Sequence, residues 1–154
     1  MYICGCKVTK KSWIKLLVSL KSSETQLKIN SKMAKVELKP ACVFEQFAKI
    51  NAIPRPSKRE EKMIDYLKTF GESHGLETKV DETGNVLIRK PATKGMENKP
   101  TVILQSHMDM VCDKLVDVDF DFDKDAIQTY IDGEWMHAKG TTLGADDGIG
   151  DAIE

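Results

Sequence analysis

Two stretches between residues 41 and 75 have apolar residues at helical spacing. The first predicts a short helix that ends before Pro54, and its apolar residues are Phe44, Phe47, Ala48 and Ile50. The second predicts a helix that runs to about His74, and its apolar residues are Met63, Ile64, Leu67 and Phe70. Ser57 and Glu60 have the spacing of a capping box that opens this second helix. Gly75 follows where a C-terminal cap needs positive φ.

Shorter patterns after these helices predict strands. Residues 76–80 alternate with period two and are joined by a turn to residues 86–89, which predicts a strand pair. Residues 127–131 and 134–138 flank Asp132-Gly133, which is a strong signal for a two-residue hairpin. Residues 101–104 (TVIL) form a continuous apolar run that is typical of a central strand buried on both faces. Helices and strands in this order predict an α/β fold.

Charge divides the chain into two regions. With 154 residues, 41% hydrophobic and 31% charged, the chain has the composition of one ordinary globular domain. Residues 1–40 carry nine lysines and two acidic residues, whereas the remainder carries 14 basic and 22 acidic residues. We therefore predict a poorly ordered basic extension over residues 1–37, with Met33 as an alternative start, and a folded region over residues 38–154. The acidic balance of the folded region argues against a nucleic-acid-binding protein.

The cysteines and the apolar stretches bear on the compartment. Cys4, Cys6, Cys42 and Cys112 match neither a disulfide framework nor a zinc-ribbon spacing, which favours reduced thiols. The nearest approach to a membrane segment, residues 13–20, contains a lysine and is far shorter than the roughly 20 apolar residues that a span needs. We therefore expect a cytoplasmic protein without a membrane partner.

His107 and Asp109 are the first candidates for chemistry. They follow the apolar run of residues 101–104, and side chains two positions apart in an extended segment share a face. A histidine that binds zinc is usually oriented by a carboxylate, so the pair suits a metal site. Without further context, a structural histidine–carboxylate pair is the alternative interpretation.

A glycine-rich loop at residues 140–150 (GTTLGADDGIG) supplies two adjacent carboxylates, Asp146 and Asp147. Its glycines would let the backbone approach an ion closely. The loop matches neither the Walker pattern nor the dinucleotide-binding fingerprint. Because two carboxylates would repel phosphate, the loop favours a cation.

Alternating aspartates at residues 117–125 invite comparison with a calcium loop. With Asp119 as the first position, Lys124 stands where the loop needs glycine and Tyr130 where it needs glutamate, so the calcium interpretation fails. We predict instead an acidic strand edge with Phe120 and Phe122 packed inward.

The other histidines and Cys112 are better explained by structure. His74 lies at a helix end, where the dipole favours a partial positive charge. His137 precedes the acidic loop, and a structural position is favoured over metal binding. Cys112 lacks a matched histidine and an oxyanion donor, so we predict a buried thiol and not a nucleophile.

Residues 105–111 (QSHMDMV), followed by residues 140–150, closely resemble the motifs of the bacterial aminoacyl-histidine dipeptidases, also called cytosolic non-specific dipeptidases, which belong to the two-zinc peptidases. The resemblance covers about residues 38–150 and includes residues 53–57 (IPRPS) and 130–133 (YIDG). It implies the N-terminal part of a zinc-peptidase catalytic domain, α/β, with a mixed sheet flanked by helices.

Site roles follow from this resemblance. It implies that His107 binds one Zn²⁺ ion, that Asp109 is the catalytic carboxylate that orients this histidine, and that Asp146 bridges two Zn²⁺ ions. Mn²⁺ or Co²⁺ are alternative metals. Two such ions would activate a water for hydrolysis of a dipeptide, either Xaa-His or of broad specificity. Asp147, often asparagine in this family, is a poorer candidate for ligation.

The resemblance also implies that part of the machinery is missing. The family's general-base glutamate, its other metal ligands and its dimerising domain have no counterpart before Glu154, and residues 151–154 lack the apolar helix that follows in the family. We therefore expect an incomplete domain that is inactive alone, whereas intact members would be homodimers. The alternative is a non-catalytic truncated product or binding module that retains part of the fold.

Overall fold

A computed structural model describes residues 38–154 of the chain. The basic extension predicted for residues 1–37, with the alternative start at Met33, lies outside the described residues. The described elements, in chain order, are α1 (Ala41–Asn51), α2 (Glu61–Ser73), β1 (Glu77–Val80), β2 (Val86–Arg89), β3 (Thr129–Asp132), β4 (Trp135–Ala138) and α3 (Ala145–Ile153). None of these helices is both long and apolar enough to cross a membrane.

Both helices predicted from apolar spacing are confirmed. Helix α1 buries Phe47 and Ile50, and α2 buries Met63. Helix α2 ends at Ser73, and Gly75 follows with φ of +68°, the conformation expected of a residue just past a helix end. His74 caps this end through its ring, with Nδ1 lying 2.7 Å from the carbonyl oxygen of Phe70.

The capping box predicted at Ser57 is wrong. Helix α2 begins only at Glu61, and no side chain caps its first turn. A tight turn intervenes: the Arg59 N–H donates to the carbonyl of Pro56 at 3.0 Å, and Lys58 has φ of +69°. This turn separates the Ser57 hydroxyl from the helix, which leaves it available for a contact elsewhere.

The two predicted hairpins are confirmed as separate antiparallel pairs. Strands β1 and β2 pair with Glu77 opposite Arg89, and β3 and β4 pair with Thr129 opposite Ala138. Helix α2 packs on the first pair at Gly71, where a Cβ atom would lie 2.2 Å from Thr78 Oγ1. Glycine therefore permits close packing of helix on sheet.

The central strand predicted at residues 101–104 is wrong. These residues form no strand, and Val102, Ile103 and Leu104 are 80%, 83% and 62% exposed. A buried central strand needs hydrogen-bonded strands on both sides. Within residues 38–154 no segment pairs with this run, so its apolar composition is not accompanied by burial.

The acidic strand edge predicted at residues 117–125 is also wrong. The segment forms turns in which carboxylates bind nearby donors: Asp121 accepts from the N–H of Asp123, and Asp125 accepts from the N–H of Asp121. Phe120 and Phe122 pack edge-to-face on one another, with ring centroids 4.8 Å apart, and are half-buried. Local turn bonds therefore replace the strand.

The core lies between the three helices and the second strand pair. Its buried apolar side chains are Phe47, Ile50, Met63, Met136, Leu143, Ala145 and Ala152. Two polar residues, Asn51 and Arg55, are buried beside it. Helix α3 includes part of the segment predicted as a loop and ends at Ile153. This packing brings the start of α3 close to residues 105–110.

Candidate functional site

His107 lies between two carboxylates. Its Nδ1 atom is 2.9 Å from Asp109 Oδ1, and its Nε2 atom is 3.0 Å from Asp146 Oδ1. The structure thus brings together the three residues that the sequence analysis named, two of them from one segment and the third from the start of α3. Their side chains are accessible: 52% of His107, 33% of Asp109 and 80% of Asp146 are exposed.

Hydrogen bonds on both sides of His107 hold this arrangement. The Met110 N–H donates to the carbonyl of Arg55 at 3.0 Å, and the Ser106 hydroxyl donates to Asp151 Oδ1 at 2.6 Å. Asp146 lies within the bounds of α3 but is not helical, with φ of −93° and ψ of 105°. The segment that carries His107 is therefore anchored on either side of the histidine. The backbone at Asp146 departs from helical geometry at the site.

Arg55 is buried and forms hydrogen bonds both to the segment that carries His107 and to the residue that precedes α3. Arg55 is 1% exposed. Its Nη1 donates to the carbonyls of Met108 and Asp109 at 3.2 and 3.3 Å, and its Nη2 donates to the carbonyl of Gly144 at 2.7 Å. Burial lowers the pKa of Arg55, opposed by the nearby carboxylates, but arginine stays charged in proteins. One buried cation thus holds three backbone carbonyls that flank the site.

Two glycines of residues 140–150, Gly144 and Gly148, permit this packing. At Gly144, φ is +67° and a Cβ atom would lie 2.5 Å from Arg55 Nη2. At Gly148 the same separation would be 2.5 Å. The backbone therefore approaches the guanidinium of Arg55 at these two glycines.

Charge acts on both members of the His107–Asp109 pair. Partial burial lowers the pKa of His107, but its bonds with Asp146 and Asp109 outweigh that effect, so the pKa is raised. The Ser57 hydroxyl is the main cause of a lowered pKa at Asp109, with His107 acting in the same direction against partial burial. In the metal-free protein, the site therefore favours an imidazolium between two carboxylates.

We expect Asp146→Asn to lower the pKa of His107, because the amide carries no charge to stabilise the imidazolium. Nuclear magnetic resonance titration of the ring in the metal-free chain should give a wild-type pKa above 6.5. The ion pair should then stabilise the folded state below about pH 6.5 and lose this contribution as pH rises through the folded-state pKa. The exposed Asp119→Asn is the matched control, and an unchanged pKa in Asp146→Asn would contradict the prediction.

The remaining candidates take structural positions. Asp147 Oδ1 accepts the N–H of Gly150 at 3.2 Å, a bond within α3. His137 stacks on Tyr130 across the β3–β4 pair, with ring centroids 5.3 Å apart. Burial raises the pKa of the half-buried Cys112 thiol, which makes it a poorer nucleophile.

The donor set fits a metal centre in part. His107 Nε2 and Asp146 Oδ1 lie 3.0 Å from one another, and imidazole nitrogen with carboxylate oxygen is a combination that zinc accepts. Among residues 38–154 no group of three or more histidine, cysteine, aspartate or glutamate side chains could hold a metal ion. These two donors would therefore need further ligands to close a coordination sphere.

Two residues at the site were missed from the sequence. Arg55 had a signal, since a lone arginine stands between Pro54 and Pro56. Ser57 ends the motif of residues 53–57, but its partner had no signal: the hydroxyl donates to Asp109 Oδ2 at 2.5 Å, across 52 positions of the chain. Sequence spacing is uninformative about such a contact.

Comparisons with known proteins give two relatives. No protein-family model matches the chain. The cytosol non-specific dipeptidase of Escherichia coli (strain K12) is 53% identical over 114 residues, which cover 74% of this chain and 24% of that protein. The crystal structure of aminoacylhistidine dipeptidase from Vibrio alginolyticus is similar with a TM-score of 0.75 and 52% identity, over 80% of this chain and 25% of that one. The chain thus spans about a quarter of the length of these relatives.

The structural match bears on the fold predicted from the sequence. It confirms that the described region has the fold of part of a dipeptidase catalytic domain. Within that region the strands form two antiparallel pairs.

Proposed function

From the premise that this chain is homologous to a segment of the aminoacylhistidine dipeptidases, we propose that it forms part of a metal-dependent dipeptidase. The observation that carries this proposal is His107 held between Asp109 and Asp146. A ring fixed at Nδ1 by one carboxylate, with Nε2 directed at another, is the arrangement of a histidine ligand with its orienting partner.

Each of the three residues has a separate task in this proposal. Asp109 accepts a hydrogen bond from the Nδ1–H group of His107, which leaves the Nε2 lone pair for a cation. Asp146 supplies a carboxylate with two oxygens, suited to bridging two ions. Zn²⁺ is the proposed metal, with Mn²⁺ or Co²⁺ as alternatives. Bound at such a centre, it would supply Lewis-acid polarisation of a peptide carbonyl and a water of lowered pKa.

The finer functional assignments belong to the same proposal. The proposed substrate is a dipeptide, Xaa-His or of broader sequence, hydrolysed in the cytoplasm. The general base and the remaining metal ligands would come from outside residues 38–154, and an intact enzyme would be a homodimer. The chain alone would then be inactive.

A non-catalytic binding module is the second candidate. It is favoured by the two-donor character of the site and by the exposure of its side chains, 52% for His107 and 80% for Asp146. Enzymes usually exclude water from the reacting centre. Assay of the 154-residue chain separates the candidates in part, because substantial metal-dependent hydrolysis by it would contradict the expectation that it is inactive alone.

A chimera tests the peptidase function. The segment of the Escherichia coli dipeptidase that aligns with this chain is replaced by the aligned residues of this chain. We expect the chimera to hydrolyse dipeptides, to lose activity on treatment with a chelator and to recover it with Zn²⁺. His107→Gln should abolish activity, whereas His74→Gln, at the end of α2, should leave it unchanged. A folded chimera without activity, or one indifferent to His107→Gln, would refute the proposal.

A further inference from the structure

We propose that Ser57 is a positioning residue for His107, acting through the carboxylate of Asp109. Its catalytic consequence rests on the proposed function, but the positioning itself is a property of this chain. The observation behind it is a continuous line of contacts. Ser57 Oγ donates to Asp109 Oδ2 at 2.5 Å, Asp109 Oδ1 lies 2.9 Å from His107 Nδ1, and His107 Nε2 lies 3.0 Å from Asp146 Oδ1.

The fold brings Ser57 to this place. Pro56 pairs with Met110 in an isolated parallel bridge, and the Met110 N–H donates to the carbonyl of Arg55. These contacts hold the turn between α1 and α2 alongside the segment that carries His107. The Ser57 hydroxyl also lies 3.4 Å from the carbonyl of Met110, so both of its contacts are to that segment.

The Asp109 carboxylate uses its two oxygens separately. Oδ2 accepts from Ser57, and Oδ1 faces the ring of His107. The carboxylate is 33% exposed, so without the hydroxyl it would rotate and share its oxygens with water. Fixed rotation of Asp109 favours the imidazole form with its proton on Nδ1, in competition with Asp146, whose carboxylate favours a proton on Nε2.

A purely structural role predicts something different. Helix α2 has no side-chain cap, so Ser57 does not stabilise its first turn. Within residues 38–154 the Ser57 hydroxyl contacts Asp109 and the carbonyl of Met110, and neither residue belongs to α2. Loss of the hydroxyl should therefore shift the proton position on His107 with little change in the folding of the chain.

The tautomer of His107 is the direct test. In the metal-free full chain, two-dimensional ¹H–¹⁵N spectra of the rings, recorded above the pKa of His107, give the ratio of the Nδ1–H to the Nε2–H form. Loss of the His107 signals in His107→Gln assigns them. Because Asp109 favours a proton on Nδ1 and Asp146 favours one on Nε2, the wild-type ratio reflects both carboxylates. We expect Ser57→Ala to lower the ratio of Nδ1–H to Nε2–H by about three- to tenfold relative to wild type, since a typical net hydrogen bond corresponds to such a factor.

Three further variants complete the test. Ser57→Thr keeps a hydroxyl and should restore the ratio, whereas Ser57→Cys keeps the shape with a weak donor and should not. Ser73→Ala is the matched control, because that hydroxyl donates to the carbonyl of Phe70 at 2.9 Å within α2. If Ser57→Ala fails to fold, the Thr and Cys variants decide the question. A ratio that is the same in all folded Ser57 variants would overturn the proposal.

The chimera separates this inference from the proposed function. There, Ser57→Ala should lower both kcat and zinc affinity by about three- to tenfold with KM unchanged, and Ser57→Thr should restore both. A folded wild-type chimera without activity would refute the proposed peptidase function. The tautomer ratio of His107 in the chain itself would still decide the role of Ser57. If the chimera is active but Ser57→Ala leaves the ratio of the Nδ1–H to the Nε2–H form of His107 unaltered, only the proposed role of Ser57 is refuted.

Discussion

Arg55→Met should lower the free energy of unfolding by about 3 kcal/mol, because the carbonyls of Met108, Asp109 and Gly144 would lose their common donor. Methionine matches the length of arginine but offers no N–H group. A hydrogen bond from a charged donor typically contributes about 1.5–3 kcal/mol. The sum over three bonds is reduced because the carbonyl of Gly144 keeps the N–H of Gly148 at 3.2 Å and that of Asp109 keeps His107 Nδ1 at 3.2 Å. The variant should also separate the segment of His107 from that of Asp146.

Urea unfolding followed by far-UV circular dichroism measures this loss. Arg59→Met is the matched control: Arg59 pairs with Asp123 on the surface, and both side chains are about half exposed, at 58% and 46%. Its removal should change the free energy by less than about 1 kcal/mol. Equal losses in the two variants would show that Arg55 does not hold the site together.

Gly144→Ala should lower the free energy of unfolding by about 2–5 kcal/mol. Two costs add: a left-handed conformation at φ of +67° costs about 1–2 kcal/mol for a residue with a Cβ atom. That Cβ atom would also lie 2.5 Å from Arg55 Nη2 and 3.0 Å from Met110 Sδ, and overpacking of this kind typically costs about 1–3 kcal/mol.

Gly75→Ala isolates the conformational cost. Its φ is +68°, but its added Cβ atom would meet nothing within 4 Å. Urea unfolding of the two variants should therefore differ by the packing cost alone, with Gly144→Ala the less stable. If both lose the same free energy, Arg55 yields to the added methyl group and the close approach at Gly144 has no energetic weight.

The two predictions concern the same feature, the buried guanidinium beneath the site. Arg55 binds the carbonyls on one side, and Gly144 and Gly148 approach it without side chains on the other. A site of two short segments from distant parts of the chain needs such a connection. The distance between His107 and Asp146 therefore depends on a residue that touches neither side chain.

Local patterns in the sequence predicted local structure well. The apolar spacing around Phe47 and Met63 identified α1 and α2, and Asp132-Gly133 identified the hairpin of β3 and β4. His107 and Asp109 were paired correctly because the two are close along the chain. In each case the deciding interactions join residues within a few positions of one another.

Two further features came from beyond local pattern. Asp146 was joined to His107 by resemblance to a family, and the structure brings them within 3.0 Å. The run at residues 101–104 looked like a buried strand, but burial depends on neighbouring strands, and none pairs with it in the described region. An apolar segment has a preference for burial, but it becomes buried only where other strands or helices pack against it.

By itself, the sequence determined the helices, the hairpins and the pairing of His107 with Asp109, because backbone preference and side-chain periodicity act over a few residues. Tertiary structure alone decided that Ser57 serves Asp109 instead of capping α2, and that Arg55 joins the two segments of the site. Both contacts cross more than 50 positions of the chain. Hydrogen bonds depend on distance in space, and no spacing along a sequence encodes a distance that only packing creates.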